Sequence, residues 1–294
     1  MMGIVGNKSE TKPMSRGQRI TRRRLRAGVQ AVFFLLAPSV YTAAFAGVKE
    51  LASAIGAGEP LALSSFTAAL LAVCAYTVVF GRFFCGYACA FGTLGDAVYA
   101  LSQQLQRRLG RRLPRIPDAA ARRMQRIKYF VLAAIVALCA AGVYAGLSGW
   151  SPWDVFSMLT ALRWAGAPYA LGFVLLGLIV AGMAVKERFF CQFLCPMGAV
   201  FALLPVLGRY TRRRENCLPR CAACAASCPV GVETDEDNAR MGECICCGAC
   251  SDICPRRNIS YGGRLRDGNA PLLVLLRAGI LLALCAALAL VRVL

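Results

Sequence analysis

The sequence predicts an all-α membrane bundle of four or five transmembrane helices, built on a duplicated helix-pair unit and followed by a small cysteine-rich α+β segment. Three observations predict it: apolar runs about as long as a bilayer is thick, a tetrapeptide that recurs together with its flanking helices, and sixteen cysteines, half of them in two tandem runs.

The chain has 294 residues, is 58% hydrophobic and only 17% charged, and its mean hydropathy is +0.56. A soluble domain is nearer half apolar and about a quarter charged, so lipid is the expected solvent. Histidine is absent, which removes His-ligated haem, Rieske centres, imidazole zinc sites and the commonest general base.

Runs of about 20 apolar residues can cross a hydrocarbon core about 30 Å thick as helices. They lie at Ala27 to Gly47, Leu61 to Gly81, Tyr129 to Leu147, Pro168 to Val185 and Pro271 to Val293. Arg277 interrupts the last and is expected to snorkel from a cytoplasmic end. Thr21-Arg22-Arg23-Arg24-Leu25 before Ala44-Phe45-Ala46 resembles an export signal. The run is long for a signal core of about 7 to 15 residues, so an uncleaved anchor is expected.

The formal charge of +19 follows topology. Lys and Arg number 8 in residues 1–26, 10 in 81–128 and 12 in 186–271, against only Lys49 and Arg163 in the other two loops. The positive-inside bias places the N-terminus, the middle loop and the cysteine-rich segment in the cytoplasm of a multi-pass bacterial inner-membrane protein. The basic charge therefore argues for anionic lipid contact and against nucleic acid. The expected organisation is a basic cytoplasmic N-terminus (1–26), a membrane domain (27–208), the cysteine segment (209–265) and a C-terminal transmembrane helix (271–293).

Arg82-Phe83-Phe84-Cys85 recurs 106 residues later as Arg188-Phe189-Phe190-Cys191, with Cys89 and Gly92 matching Cys195 and Gly198. The same shift carries the first two apolar runs onto the third and fourth. The membrane part thus reads as two copies of a helix, helix, cysteine-loop unit. A helical spacing of four would put both sulfurs of each Cys-x3-Cys pair on one face, and the repeat would bring Cys85, Cys89, Cys191 and Cys195 together as redox or metal thiols. The competing reading is plain packing, as for the lone Cys74, Cys139 and Cys285.

Cys244-x2-Cys247-x2-Cys250-x3-Cys254-Pro255 has the spacing of a bacterial [4Fe-4S] motif, and Cys217-x3-Cys221-x2-Cys224-x3-Cys228-Pro229 repeats it with one extra residue. In two-cluster ferredoxins the fourth cysteine of each run serves the other cluster. Carried over, Cys217, Cys221, Cys224 and Cys254 bind one cube, and Cys244, Cys247, Cys250 and Cys228 the second, which makes this a ferredoxin-like segment. Zinc or disulfides fit the paired Cys-Pro endings and a reducing cytoplasm less well. Cys246 is surplus. Trp150, Trp153 and Trp164 fit an interfacial belt. Ser151-Pro152-Trp153-Asp154 reads as a turn followed by a helix N-cap at Asp154 rather than as the wall of an outer-face quinone pocket. The acidic run 233–237 reads as a solvated loop.

The paired Arg-Phe-Phe-Cys-x3-Cys units, followed by two cluster motifs, resemble the NapH-type membrane ferredoxins, a polyferredoxin-like family that includes MauN-type proteins of methylamine utilisation. The likeness runs from about Gly28 to Tyr261. Family members carry Cys-x3-Cys-Pro in both copies, whereas Ala90 follows Cys89 here. The resemblance implies an electron-transfer subunit rather than an independent enzyme. It also implies exchange with quinol and companion iron–sulfur or periplasmic redox proteins of a nitrate-reductase-like or methylamine-utilisation pathway. The alternative from another class is copper reduction or delivery, or redox-enzyme maturation, through the Cys-x3-Cys pairs, since soft thiolates suit Cu(I).

Overall fold

The computed structural model describes residues 14–290 except 62, 115, 148, 161–168, 209, 213–216, 233–241 and 262–269. Arg163, Trp164 and the acidic run 233–237 lie outside the described residues.

Helix α1 (Arg16–Leu36) opens on a capping box in which the Ser15 hydroxyl accepts from the Gln18 N–H at 3.2 Å and the Gln18 side chain accepts from the Ser15 N–H at 3.0 Å. The helix therefore begins within the basic segment, eleven residues before the apolar run. Pro38 lacks an N–H and restricts the residue before it; there the chain bends by 63° into α2 (Val40–Ala57). The single run expected over Ala27 to Gly47 is two helices, with proline as the cause.

Helix α3 (Ser65–Phe80) is capped by Ser64, whose hydroxyl accepts from the Thr67 N–H at 3.1 Å, and stops at Gly81. A π-helical turn (Phe84–Ala88) leads into α4 (Ala90–Leu109). The second half runs through α5 (Asp118–Met124), α6 (Ile127–Ala140), a 3-10 turn (Tyr144–Leu147), α7 (Pro152–Thr160), α8 (Ala170–Val185), α9 (Phe189–Phe193) and α10 (Pro196–Leu203). Moved by 106 residues, α1 overlies α6, and α3 overlies α8. The duplication seen in the sequence is therefore a duplication of helices.

Strand β1 (Tyr210–Arg212) pairs antiparallel with β2 (Ile259–Tyr261), Tyr210 opposite Tyr261, and between them lie the cysteine runs with α11 (Ala223–Ala226) and α12 (Ala249–Ile253). Helix α13 (Ala270–Leu290) follows. By length and composition, α13 is the one described helix able to cross a membrane alone; the bent pair of α1 and α2 passes if it counts as one span. Helices α3 and α8, with 16 residues each, rise only about 24 Å.

Close helix packing rests on glycine. A Cβ on Gly47 would stand 2.4 Å from the Phe66 carbonyl oxygen, and one on Gly56 would stand 2.0 Å from that of Ala140, so α2 lies backbone to backbone against α3 and α6. Between the halves, Phe91 stacks on Phe156 and Phe190 at 3.8 and 4.5 Å, with Tyr41 against its edge. Trp153 joins this core, 5.4 Å from Phe45 and 6.5 Å from Phe190. It does so from the first turn of α7 and stays partly exposed. Trp150 is exposed. The cap of α7 is Ser151, which accepts from the Asp154 N–H at 3.4 Å, while Asp154 sits in the first turn and pairs with Lys49 at 3.6 Å. Arg277 does not snorkel outward: it is 4% exposed and stacks 3.5 Å over the Tyr261 ring, which fastens α13 beneath β2.

Replacing Gly56 by Ala should cost about 1–3 kcal/mol through overpacking and lower the thermal midpoint of the detergent-solubilised chain. Gly28→Ala, where a Cβ meets nothing within 4 Å, should raise it by the equivalent of about 0.5–1 kcal/mol.

Candidate iron–sulfur site

The two cysteine runs fold alike. Cys224 lies on α11 and Cys250 on α12, and these short helices pack on each other. The fourth cysteine of each run accepts from a backbone N–H four residues on: Val232 to Cys228 Sγ at 3.3 Å, Asn258 to Cys254 Sγ at 3.3 Å. Each stands just before a proline, which supplies no N–H and turns the chain so that later amides face the sulfur. Such bonds tune cluster potentials.

Cys228, from the first run, comes close to the second. Its thiol feels the charges of Cys247 and Cys244, and Cys250 feels those of Cys244, Cys247 and Cys228. Burial raises both thiols, Cys228 to about 12, and these neighbours raise them further. Cys217, Cys221 and Cys254 are half-buried and Cys224 buried, with the Arg212 guanidinium 3.9 Å from the Cys224 sulfur. Cys246, surplus in the motif, is 1% exposed with a positive φ of 54°, and donates to the Gly208 carbonyl at 3.2 Å. A Cβ on Gly81 would fall 2.6 Å from its sulfur, so it ties the second run to the end of α3.

The second constellation forms at the ends of α3 and α8. Cys85 lies in the π-helical turn and Cys191 on α9, while Cys89 and Cys195 are the extended residues that begin α4 and α10. The helix breaks at the second cysteine of each pair, so the two sulfurs do not share one continuous helix face as the spacing of four suggested. The repeat nevertheless collects all four. Each is buried; burial raises Cys89, Cys191 and Cys195, and every one of these three also feels the Cys85 charge. The Gly198 N–H donates to Cys195 Sγ at 3.2 Å and Tyr41 stands 3.7 Å from it. Among the described residues no three Cys, Asp or Glu side chains converge on a single-ion position; a cubane spreads its thiolates over four separate irons.

Two buried arginines hold this region together. Arg188 of the second copy donates through Nε and Nη2 to Asp96 at 2.6 Å each, to the Gly86 carbonyl at 3.2 Å and to the Cys85 carbonyl, all in the first copy. Asp96 also takes Arg26 at 2.8 Å and Gln30 at 2.7 Å. Arg82 of the first copy donates to Glu243 at 2.8 Å and to the Gly242 carbonyl at 3.3 Å; Lys128 and Tyr129 complete the shell of Glu243. A Cβ on Gly92 would stand 2.2 Å from Arg188 Nη1, and one on Gly198 would stand 3.1 Å from Arg82 Nη2. Each copy's glycine is thus the space for the other copy's arginine, which explains why both residues recur in the repeat. Burial alone would raise the Asp96 and Glu243 carboxyls, but the cations beside them hold both below their ordinary values.

The cysteine segment is seated on this lattice. Tyr87 donates to the Cys247 carbonyl at 3.3 Å, Gln192 to that of Pro229 at 2.6 Å, Gln125 to that of Val230 at 2.9 Å, and Arg22 pairs with Asp252 on α12 at 2.6 Å. The carboxylates Asp96 and Glu243 escape a reading of motifs. Their one sequence signal is an arginine placed directly after each apolar helix, which needs a partner if buried.

Fold and site define a largely helical protein of iron–sulfur electron transfer. A model of a family described as a 4Fe-4S binding domain matches residues 61–115 and 169–214, once in each copy. Relatives include NirI of Paracoccus denitrificans (33% identical, 64% of this chain, 28% of NirI), the methylamine utilisation ferredoxin-type protein MauN of Methylobacillus flagellatus (27%, 69% and 58%) and the ferredoxin-type protein NapH of Escherichia coli (24%, 68% and 68%). The chain thus spans little more than a quarter of NirI. No solved structure matches. The chain is a homologue of the NapH- and MauN-type ferredoxin proteins.

Asp96→Asn leaves Arg188 buried without its anion and should cost about 3–5 kcal/mol at neutral pH, read as a drop in thermal midpoint. A carboxyl held low in the folded state contributes stability above its unfolded pKa and loses it as pH falls through the folded one. The gap between wild type and variant should therefore shrink on acidification below the usual carboxylate range.

Proposed function

We propose that the chain is a multi-pass membrane electron carrier in which the two cysteine runs hold two [4Fe-4S] clusters by exchange of their fourth ligands. Cys217, Cys221, Cys224 and Cys254 bind one, and Cys244, Cys247, Cys250 and Cys228 the other. The observation that carries the reading is the approach of Cys228, the fourth cysteine of the first run, to Cys244, Cys247 and Cys250 of the second, as exchange of fourth ligands requires. The clusters supply one-electron redox chemistry. The protein's part is to seat the thiolates, donate N–H bonds to sulfur and keep water from the buried side. The segments 1–26, 27–208, 209–265 and 271–293 keep the roles expected of them, with the cysteine segment cytoplasmic and the chain in the bacterial inner membrane. The basic loops and the homology to NapH and MauN support this.

Two adjacent one-electron centres suit a two-electron donor such as quinol, and the relatives' names support an acceptor among companion iron–sulfur or periplasmic redox proteins, as in nitrate reduction or methylamine utilisation. Copper delivery through the Cys-x3-Cys pairs is the weaker reading, because a partner must reach thiols that are only 4–6% exposed.

A soluble quinol analogue added anaerobically to the purified full chain should bleach the charge-transfer absorption of the clusters, with re-oxidation by the matching quinone. Reduction by dithionite alone, with quinols inert, would remove the quinone link.

A further inference from the structure

We infer that the C-terminal half of α4 and the turn after it form a seat for one anionic phospholipid of the cytoplasmic leaflet, with its phosphodiester held between Arg107 and Arg112. The inference rests on the membrane reading above. It goes beyond a general attraction of basic loops to lipid, since it names one cavity and the side chains that close on the headgroup.

Helix α4 is amphipathic in the opposite sense to a helix that faces water, whose apolar stripe turns toward the protein. Here the half-buried positions are Ser102, Gln103 and Gln106. Leu101, Leu105 and Leu109, four residues apart, are each more than half exposed, and Leu113 beyond the turn is exposed as well. Such a stripe belongs in the plane of a bilayer surface, with the leucines among the acyl chains. The depth agrees: α4 packs on α8, and Ser102 donates to the Ala184 carbonyl at 2.8 Å, in the last turn of that apolar helix.

A relay of hydrogen bonds fixes the turn. Gly110 ends α4 at a positive φ of 64°. The chain then folds back, so that the Leu113 N–H donates to Gln106 Oε1 at 3.0 Å, Gln106 Nε2 to Ser102 Oγ at 3.0 Å, and Ser102 in turn to α8. Arg112 is thereby brought to a cavity of about 460 Å³ that it lines together with Tyr99, Gln103, Arg107 and Val185. That is within the size of a ligand cleft, about 300–1,000 Å³. Arg107 Nε donates to the Gln103 carbonyl at 3.2 Å, which fixes its guanidinium.

Charge decides the sign of the ligand. Residues 97–117 contain five arginines and no Asp or Glu, and among the described residues neither Arg107 nor Arg112 enters an ion pair. The acids at the start of α4 and the end of α8 face elsewhere. Asp96 is taken by Arg188, Arg26 and Gln30, and Glu187 stands in the field of Asp96, Arg26, Arg188 and Arg23. Two guanidiniums on one cavity repel each other, whereas a phosphodiester between them accepts charge-assisted hydrogen bonds from both. The leucine stripe alongside favours a lipid over free phosphate.

The test is lipid retention by the detergent-solubilised full chain, read by native mass spectrometry with phosphatidylglycerol, phosphatidylcholine and inorganic phosphate as probes. One phosphatidylglycerol per chain should survive washing that strips phosphatidylcholine, and adding it back should raise the thermal midpoint. Arg107→Gln/Arg112→Gln should weaken that binding about thirtyfold, about fivefold for each arginine beside an anionic headgroup. Arg122→Gln/Arg123→Gln, an equal loss of charge on α5, should leave it unchanged. A photoreactive phenylalanine analogue in place of Leu105 should form adducts with lipid, a readout that needs no change of charge. Adducts with a second copy or another protein, an equal response to inorganic phosphate, or equal weakening in both double variants would overturn the inference. Release of the chain from membranes by alkaline carbonate would sink the membrane reading and this site with it. A chain that resists carbonate yet retains no phosphatidylglycerol would sink this site alone.

Discussion

Two buried guanidiniums set the rest of the structure. Arg82 and Arg188 each follow an apolar helix, and each reaches into the opposite copy of the repeat, where a glycine leaves room. Removing a charge from water costs several kcal/mol unless excellent hydrogen bonds offset it. Arg188 donates four hydrogen bonds, two to Asp96 and one each to the carbonyls of Gly86 and Cys85. It also holds a positive φ of 56°, a backbone position that costs of order 1–3 kcal/mol for a residue other than glycine. Strain and desolvation at one residue are tolerated where the surroundings over-determine it.

From that lattice the chemistry is positioned outward. Arg188 grips the carbonyls on either side of the peptide after Cys85, and Arg82 grips the residues just before Cys244. The thiols at the junction of the repeats and the second cysteine run are therefore held by the same pair of buried arginines. For a carrier of single electrons this matters more than binding strength, because electron exchange depends on the centres staying close. Electron transfer needs no lid or general base, and the chain's lack of histidine fits a protein that moves no proton through an imidazole.

Much of this was legible in the sequence. Cysteine spacing and the 106-residue repeat are local or periodic signals, and helices α3, α6, α8 and α13 fall where the apolar runs lie. What escaped was long-range. The partners of Arg82 and Arg188 are 161 and 92 residues away, and carboxylates such as Asp96 and Glu243 have no spacing to betray them. Pro38 could have announced the break between α1 and α2, but hydropathy averaged over a window hides a single proline. Arg277 misled because a cation near an apolar end has two uses, interface and core, and only tertiary packing chooses between them.

The central claim, iron–sulfur electron transfer through the paired cysteine runs, is tested most directly by EPR of the anaerobically purified, dithionite-reduced full chain. The account predicts a spectrum of two magnetically coupled cubane clusters. A well-folded protein with no cubane signal after reduction would contradict it.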